Sequence, residues 1–181
     1  MNAVKPDNKV EILISAAEIA GRVATLAENI AAQLPPNMMI VALLRGSFVF
    51  TADLIRALHL VGAHPQVEFM ALGSYGDKTA SSGDVQIVRD LTENVAGRDV
   101  LIVDDILESG RTLTFARDLL RKRGATSIKI AVLLEKPGKR MTDIDADFVG
   151  FTISDKFVVG FGLDYANYYR ELPFIGVIKT G

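Results

Sequence analysis

Two adjacent acids and a short run of small residues follow an apolar segment near the middle of the chain. Residues 100–103 are all apolar, Asp104 and Asp105 come directly after them, and residues 109–112 include a serine, a glycine and a threonine. Neighbouring carboxylates suit the vicinal hydroxyls of a sugar or a divalent cation. Small residues ahead of a helix suit a phosphate, because the helix N-terminus carries a partial positive charge. The pattern predicts a site for a sugar that carries one phosphate, with a metal ion beside it.

Other interpretations of these acids are weaker. Helix capping needs only one acid, so it leaves the second unexplained. The sequence has no G-x-x-x-x-G-K-[ST] run, which argues against a P-loop nucleotidase. Residues 160–162 read Gly-Phe-Gly but lack the third glycine of a dinucleotide fingerprint. An acidic pair after a strand also fits a phospho-receiver domain, but too few residues follow Asp104 to supply its remaining strands.

Composition narrows the class of protein. The chain has 181 residues, a net charge of -2 and no cysteine. Disulfides, thiolate zinc sites and cysteine nucleophiles are therefore excluded. The charge does not favour binding to nucleic acid or to a membrane surface. Charged residues interrupt the N-terminal segment and no apolar run is long enough to span a bilayer, so we expect a cytoplasmic protein without a signal peptide.

The elements around the acids alternate between strand and helix patterns. Ser15 and Glu18 have capping-box spacing and predict a helix that begins after Ser15 and ends before Pro35. The predicted order is helix 16–33, strand 38–44, a second helix, strand 67–72, strand 85–88, strand 100–103, helix 112–123 and strand 128–134. This order predicts an α/β fold with a mainly parallel twisted sheet flanked by helices. The ligand is expected beyond the carboxyl ends of the strands.

The rest of the chain has a different character. The polar segment 73–84 lacks an apolar pattern, and a loop of that length is usually functional. Residues 135–181 consist of short apolar pieces between polar turns. We expect one domain over residues 1–181, with a core of roughly 16–134. Residues 135–181 should form a small appendage that packs beside the carboxyl edge of the sheet.

Several segments together resemble the type I phosphoribosyltransferases, and among them the bacterial enzymes that act on 6-oxopurines. The resemblance runs collinearly from about residue 10 to residue 178. It is carried by residues 44–48 (Leu-Arg-Gly-Ser-Phe), 74–76 (Ser-Tyr-Gly), 100–112, 136–137 (Lys-Pro), 147–151, 155–165 and 169–173. It implies transfer of 5-phosphoribosyl from 5-phosphoribosyl 1-diphosphate to hypoxanthine or guanine, with Mg²⁺. The products would be inosine or guanosine monophosphate and diphosphate. It also implies the family fold, with a small hood formed mainly by residues 135–181 together with the N-terminal segment, and a dimer or tetramer.

The resemblance assigns roles to the sugar-phosphate half of the site. Asp104 and Asp105 would hold the ribose hydroxyls, directly or through Mg²⁺, and Asp164 would bind a second Mg²⁺. Glu108 stands where the family commonly has an aspartate that accepts the purine N7 proton. The 5′-phosphate would be wrapped by Glu108, Ser109, Gly110, Arg111 and Thr112. The diphosphate would be bound by Arg45, Gly46 and Arg170, with a non-proline cis peptide bond between Leu44 and Arg45, where the family usually has a lysine.

The purine half is assigned in the same way. Lys136 would donate to the exocyclic oxygen, Phe157 would stack on the ring, and the Val158 backbone would read its edge. Ser74 and Tyr75 would begin a lid that closes over the reacting centre.

Each role has an alternative without a function. Glu108 is otherwise a loop acid that caps a helix, Lys136 a solvated strand end and Phe157 a core aromatic. Asp155 and Lys156 are read as plain turn residues, and His59 and His64 as structural ones.

Two alternatives to an enzyme of this family remain open. One is a regulator that uses the same fold to sense a nucleotide or phosphoribosyl diphosphate and binds RNA or protein. The other is the receiver-like signalling domain. Turnover of a purine would separate the enzyme from the regulator, and phosphorylation of an aspartate by acetyl phosphate would identify the receiver.

Overall fold

The computed structural model describes residues 9–74 and 85–179, and its centre is a six-stranded sheet. The strands of this sheet, in chain order, are β2 (Met39–Leu44), β3 (Gln66–Ser74), β4 (Val85–Arg89), β5 (Asp99–Leu107), β6 (Ser127–Glu135) and β7 (Phe148–Thr152). Their spatial order is β4-β3-β2-β5-β6-β7. All neighbours are parallel except β4, which runs antiparallel to β3. The predicted α/β fold with a mainly parallel sheet is confirmed.

Three helices cover the two faces of the sheet. Helices α1 (Ala16–Ala31) and α2 (Phe48–Leu60) bury their apolar sides on one face, and α3 (Arg111–Lys122) packs on the other. Alternate residues of β2 face the two layers, with Ile40 in the first core and Met39 and Val41 in the second. Burial on both sides explains why this strand is a continuous apolar run. The sheet is thereby fixed, and its carboxyl edge can carry polar residues.

The start of α1 follows the sequence prediction closely. Ser15 accepts a hydrogen bond from the Glu18 N–H, and the Glu18 carboxylate accepts one from the Ser15 N–H. The C-terminal end of α3 is also as predicted, since Gly124 follows it with a φ of 86°.

A second, three-stranded sheet forms the hood. It contains β1 (Val10–Ile14), β8 (Val158–Val159) and β9 (Ile175–Ile178) in the order β1-β9-β8, all antiparallel. The N-terminal strand therefore joins the hood. The expected core boundary near residue 134 is too early, however, because β7 pairs with β6 and extends the main sheet. Its apolar run matched a hood piece in the sequence, and only pairing with β6 distinguishes the two.

The central strand is longer than the sequence suggested. We expected β5 to end at Val103, with the acids in the loop beyond it, but β5 continues to Leu107. Asp104 and Ile106 keep their register with Val132 and Leu134 of β6. The expectation was wrong because it took the polar acids as the end of the strand, whereas the pairing with β6 continues through them. The acids are thus held by a strand and not by a flexible turn.

No helix within 9–74 and 85–179 is long and apolar enough to cross a membrane.

Candidate active site

A polar cavity of about 560 Å³ opens at the carboxyl edge of the main sheet. Its walls come from the ends of β2 and β5, from the start of α3, and from the hood loop between β8 and β9. The polar residues that line it are Arg45, Asp104, Asp105, Thr112, Asp164, Asn167 and Arg170. With Gly46, which also lines the cavity, six of the residues predicted to contact phosphoribosyl diphosphate thus meet in one place. Asp164, predicted only as a metal ligand, lies there too.

Asp104 and Asp105, the acidic pair, form the floor of this cavity. Asp104 is 8% exposed. Among the described residues, no lysine or arginine nitrogen lies within ion-pair distance of either carboxylate. Burial, and then the charge of Asp105, raise the pKa of Asp104 well above its ordinary value. Burial also raises the pKa of Asp105. The strand therefore holds two carboxylates in a place that favours a cation or hydroxyl donors.

These donors fit Mg²⁺ in a particular way. The described residues contain no group of three or more histidine, cysteine, aspartate or glutamate side chains that could cage a metal. Mg²⁺ is commonly held by one or two carboxylates together with water and substrate phosphates. A buried acidic pair beside a candidate phosphate site matches that mode of binding.

Segments that are distant in the sequence meet at Gly46, where the absence of a side chain on Gly46 and on Gly162 allows a close approach. A Cβ on Gly46 would lie 1.6 Å from Asp105 Oδ2, and a Cβ on Gly162 would lie 2.1 Å from the Gly46 carbonyl oxygen. Glycine is therefore the only residue that allows these approaches. The peptide bond between Leu44 and Arg45 is cis, as the resemblance implied. The end of β2 thus presents its backbone, and not a side chain, to the acidic pair.

The charged residues across the cavity are paired with one another. Arg170 Nη2 lies 2.7 Å from Asp164 Oδ1, and Arg170 Nη1 donates to the Gly162 carbonyl at 2.6 Å. Asn167 links the other side: its N–H donates to Asp164 and its amide oxygen accepts from Arg45 Nη1 at 3.4 Å. Asp164 is therefore engaged by Arg170, and its predicted role toward a second metal stays a prediction.

Residues 108–112, the phosphate loop, border a second, smaller cavity beside the first, and Arg111 is the one residue of the loop that does not line it. It has a volume of about 190 Å³ and shares Asp104, Ile106 and Thr112 with the larger one. Gly110 is the N-cap of α3, has a φ of 82° and makes no side-chain cap. The helix N-terminus thus opens into a cavity next to the acidic pair, which is the arrangement the sequence predicted for a sugar phosphate.

Glu108 does not cap α3, so its alternative interpretation as a capping acid is wrong. Its carboxylate lies 3.5 Å from Lys136 Nζ and 3.3 Å from Lys139 Nζ. Asp155 completes the group, at 2.7 Å from Lys139 Nζ and 3.9 Å from Lys136 Nζ. We call Glu108, Lys136, Lys139 and Asp155 the ion cluster; its two positive and two negative charges balance. The hydrogen bond between Lys139 and Asp155 raises the pKa of the lysine and lowers that of the aspartate.

The exposed fractions of Lys136 and Phe157 argue against the alternative interpretations of these two purine-site candidates. Lys136 is only 6% exposed, so it is not a solvated strand end. Phe157 is 56% exposed and meets Tyr165 edge to face with ring centres 5.7 Å apart, so it is not a core aromatic. Val158 is buried in the hood sheet. The buried ammonium of Lys136 can donate to an acceptor oxygen, and the exposed ring of Phe157 can stack on a planar ligand.

Sequence reasoning missed three residues of this region. Lys139 was not singled out, although residues 136–140 contain three basic side chains directly after a strand. Asp155 was read as a plain turn residue, which is wrong because it pairs with Lys139. Asn167 had no signal beyond its position in the hood loop. The two histidines pack against each other with ring centres 5.6 Å apart, away from both cavities, and line a separate cavity of about 660 Å³; their structural role stays a prediction.

The lid prediction lies largely outside the described residues. Tyr75 belongs to the segment between the two described ranges, and Ser74 is the last residue of β3.

Comparison with known proteins assigns the chain and its fold to a family. The family model described as "Phosphoribosyl transferase domain" matches residues 10–166. The chain is 46% identical over 170 residues to a hypoxanthine-guanine phosphoribosyltransferase of Bacillus subtilis, covering 93% of each chain. It is 45% identical over 172 residues to the hypoxanthine phosphoribosyltransferase of Escherichia coli K12, covering 93% of this chain and 95% of that one. A crystal structure of a hypoxanthine phosphoribosyltransferase from Staphylococcus aureus aligns with a TM-score of 0.88 at 39% identity, over 99% of this chain and 96% of that one. The chain therefore belongs to the phosphoribosyl transferase family.

Proposed function

We propose that this protein transfers a 5-phosphoribosyl group from 5-phosphoribosyl 1-diphosphate to hypoxanthine, and also to guanine, in purine salvage. One observation carries the proposal. The acidic pair lies near the end of β5, and the phosphate loop follows directly after that strand. The cavities that they line are adjacent and share Asp104 and Thr112, and Glu108 of the loop also belongs to the ion cluster. A purine ribonucleoside 5′-phosphate carries three matching groups: ribose hydroxyls for the acidic pair, a phosphate for the phosphate loop and a base for the ion cluster.

The sugar half of the reaction would be held by charge and backbone. The acidic pair would accept the ribose hydroxyls, and the N-terminus of α3 would bind the 5′-phosphate. Arg45, the Gly46 backbone and Arg170 would neutralise the leaving diphosphate. Arg45 has a planar fork that binds phosphate oxygens in pairs, which a lysine cannot do.

The purine half would depend on the ion cluster. Lys136 would donate to the 6-oxo group, and Glu108 would accept the N7 proton as the new bond to C1 forms. A general base must first be within reach of its proton. Glu108 is already at the mouth of the phosphate loop, and its side chain points to the lysine that would hold the purine oxygen. Phe157 would stack on the ring.

Mg²⁺ is part of the proposal, with the acidic pair as its protein ligands and the substrate supplying phosphate oxygens. When bound, it would neutralise charge on the diphosphate as the bond to C1 breaks. We further propose a homo-oligomer, dimer or tetramer, with small-molecule substrates and a cytoplasmic location. The low net charge and the lack of cysteine agree with that location.

A base-discrimination assay tests the function. The protein would be incubated with phosphoribosyl diphosphate, Mg²⁺ and one of hypoxanthine, guanine, xanthine or adenine, and nucleotides would be separated by chromatography. We expect inosine and guanosine monophosphate, and little adenosine monophosphate because Lys136 is a donor and adenine presents an amino group at that position. Binding of phosphoribosyl diphosphate without a nucleotide from any oxopurine would favour a regulator and overturn the enzyme proposal.

The assay has two internal controls. Excess EDTA should stop turnover if Mg²⁺ is required. Light scattering of the same sample gives the oligomeric state, with a monomer contradicting that part of the proposal.

A further inference from the structure

The segment just after β6 holds the phosphate loop from behind. Arg140 Nη1 donates to the carbonyl oxygens of Leu107, at 3.0 Å, and Glu108, at 2.9 Å. The next residue, Met141, donates its N–H to the Ser109 carbonyl at 2.9 Å. Three successive carbonyls of the loop region are therefore fixed by two neighbouring residues that belong to neither the sugar site nor the ion cluster.

Fixing a carbonyl also fixes an N–H. In a planar trans peptide unit the C=O and the following N–H point in opposite directions. Holding the Glu108 and Ser109 carbonyls toward Arg140 and Met141 turns the N–H groups of Ser109 and Gly110 the other way. Both residues line the 190 Å³ cavity, and Arg140 does not. The N–H groups of Ser109 and Gly110 thus face away from Arg140 and Met141, which makes them candidate donors to a ligand in the cavity that both residues line.

Arg140 is well placed for this task because every part of its guanidinium is anchored. Its Nε donates to the Ile144 carbonyl at 3.2 Å, and its Nη2 pairs with the Glu135 carboxylate. The side chain is 21% exposed. A planar fork can serve several fixed acceptors at once, whereas a lysine offers a single flexible point charge.

The two carbonyls differ in how much they need Arg140. The Leu107 carbonyl also accepts the Lys136 N–H at 3.0 Å, so it keeps a partner if Arg140 is lost. The Glu108 carbonyl, which follows the end of β5, accepts its hydrogen bond from Arg140. Thr142 adds a second tie, since its hydroxyl lies 2.9 Å from that of Thr114 in α3. The peptide unit between Glu108 and Ser109 is therefore the one most dependent on Arg140.

We propose that Arg140 is a positioning residue that arranges the backbone N–H groups of the phosphate loop to receive the 5′-phosphate of the substrate. The inference rests on the proposed function for the identity of the ligand, a ribose 5′-phosphate. Arg140 acts through the loop and does not touch the substrate. Its removal should therefore weaken binding of the phosphate and leave recognition of the base largely unchanged.

A pair of ligands that differ only in the phosphate tests this role. Inosine monophosphate and inosine would be titrated calorimetrically into the wild type, Arg140→Gln and Arg140→Lys. We expect the Kd for the monophosphate to rise roughly 10- to 100-fold, as for a group displaced by about 1 Å, and the Kd for inosine to change less than about threefold. Added guanidinium ion should restore part of the affinity of an Arg140→Ala variant.

Arg22 is a matched control. It also donates to two successive carbonyls, those of Val149 and Gly150, both at 2.7 Å, but it lies on α1 away from the cavities. Arg22→Gln should lower the Tm as Arg140→Gln does, and it should leave the affinity for inosine monophosphate unchanged.

The outcomes separate the two proposals. An unchanged affinity of folded Arg140→Gln for the monophosphate, or an equal loss for monophosphate and nucleoside, would overturn the positioning role. If Arg140→Gln does not fold, the same titrations with Arg140→Lys decide between these outcomes. Turnover is not needed, so a wild type that binds the monophosphate but makes no nucleotide would contradict the proposed function and still decide the role of Arg140.

Discussion

The two ends of the candidate site handle charge in opposite ways. The acidic pair is buried beside the phosphate loop with no protein cation at ion-pair distance among the described residues. The ion cluster has two cations and two anions, all paired internally. The first region stores negative charge that a ligand must neutralise, and the second is neutral and must open to admit one. Ligand binding should therefore stabilise the first region more than the second.

The largest effect is expected in the ion cluster at Glu108. Glu108→Gln should lower kcat by about 10²- to 10⁴-fold if the carboxylate accepts the purine proton. It should also lower the free energy of unfolding by roughly 0.5–1 kcal/mol, because the buried Lys136 loses a carboxylate at 3.5 Å. Steady-state kinetics and urea unfolding measure the two effects. An unchanged kcat would remove Glu108 from the role of base.

The same acid-to-amide change in the acidic pair should affect stability in the opposite direction. Asp104→Asn should lower kcat/KM about 10- to 100-fold, the value of a lost charged hydrogen bond of about 1.5–3 kcal/mol. The free energy of unfolding should rise by roughly 1 kcal/mol, since one of two buried like charges is gone. Urea unfolding of both amide variants compares them directly. A clear destabilisation by Asp104→Asn would show that the pair is already neutralised in the free protein.

The two lysines of the ion cluster form a matched pair. Lys136→Met should raise the KM for hypoxanthine about 10- to 100-fold, because a buried charged donor to the purine oxygen is lost. Lys139→Met should change it less than about threefold, since Lys139 is 46% exposed in its side chain and solvent screens it. Kinetics with saturating phosphoribosyl diphosphate measure both values. Equal effects on the KM would mean that both lysines contribute to purine binding, and would contradict a special role for the buried one.

The smallest effect concerns the dependence of stability on pH. Lys139 lowers the pKa of Asp155 in the folded protein, and Lys136 is its other charged neighbour. A lowered pKa stabilises the folded state above the unfolded aspartate value of about 3.9, and the gain is lost as pH falls through the folded value. Asp155→Asn should therefore lower the Tm slightly at pH 7, and the deficit should shrink as the pH falls below about 3.9 and vanish once Asp155 is protonated in the folded protein. Molar salt at pH 7 should reduce it too; a deficit insensitive to both would mean that the ion pair does not cause it.

The sequence predicted the parts of the molecule that depend on local chemistry. The capping box at Ser15 and Glu18, the apolar run of β2 and the glycine after α3 each set structure within a few residues, and all three are confirmed. The acidic pair could be found for the same reason, since its neighbours in the chain are also its neighbours in the site.

The parts that the sequence did not predict depend on contacts between distant segments. Whether an apolar piece such as β7 joins the main sheet or the hood depends on which strand has a free edge. The length of β5 depends on its pairing with β6. Asp155 becomes part of the site only because Lys139 lies 2.7 Å away, and neither residue carries a local signal for that. Such partners are visible only in the folded chain.

The contact around Gly46 also has a consequence for how the protein is made. Gly46 lies two residues beyond β2, Asp105 belongs to the central strand, and Gly162 lies in the hood loop near the C-terminal end. A chain growing from its N-terminus exposes the first two long before the third is synthesised. The pocket can be completed only when the last of these segments docks. Ligand affinity is therefore a property of the finished molecule, and a nascent chain without the hood loop should have none.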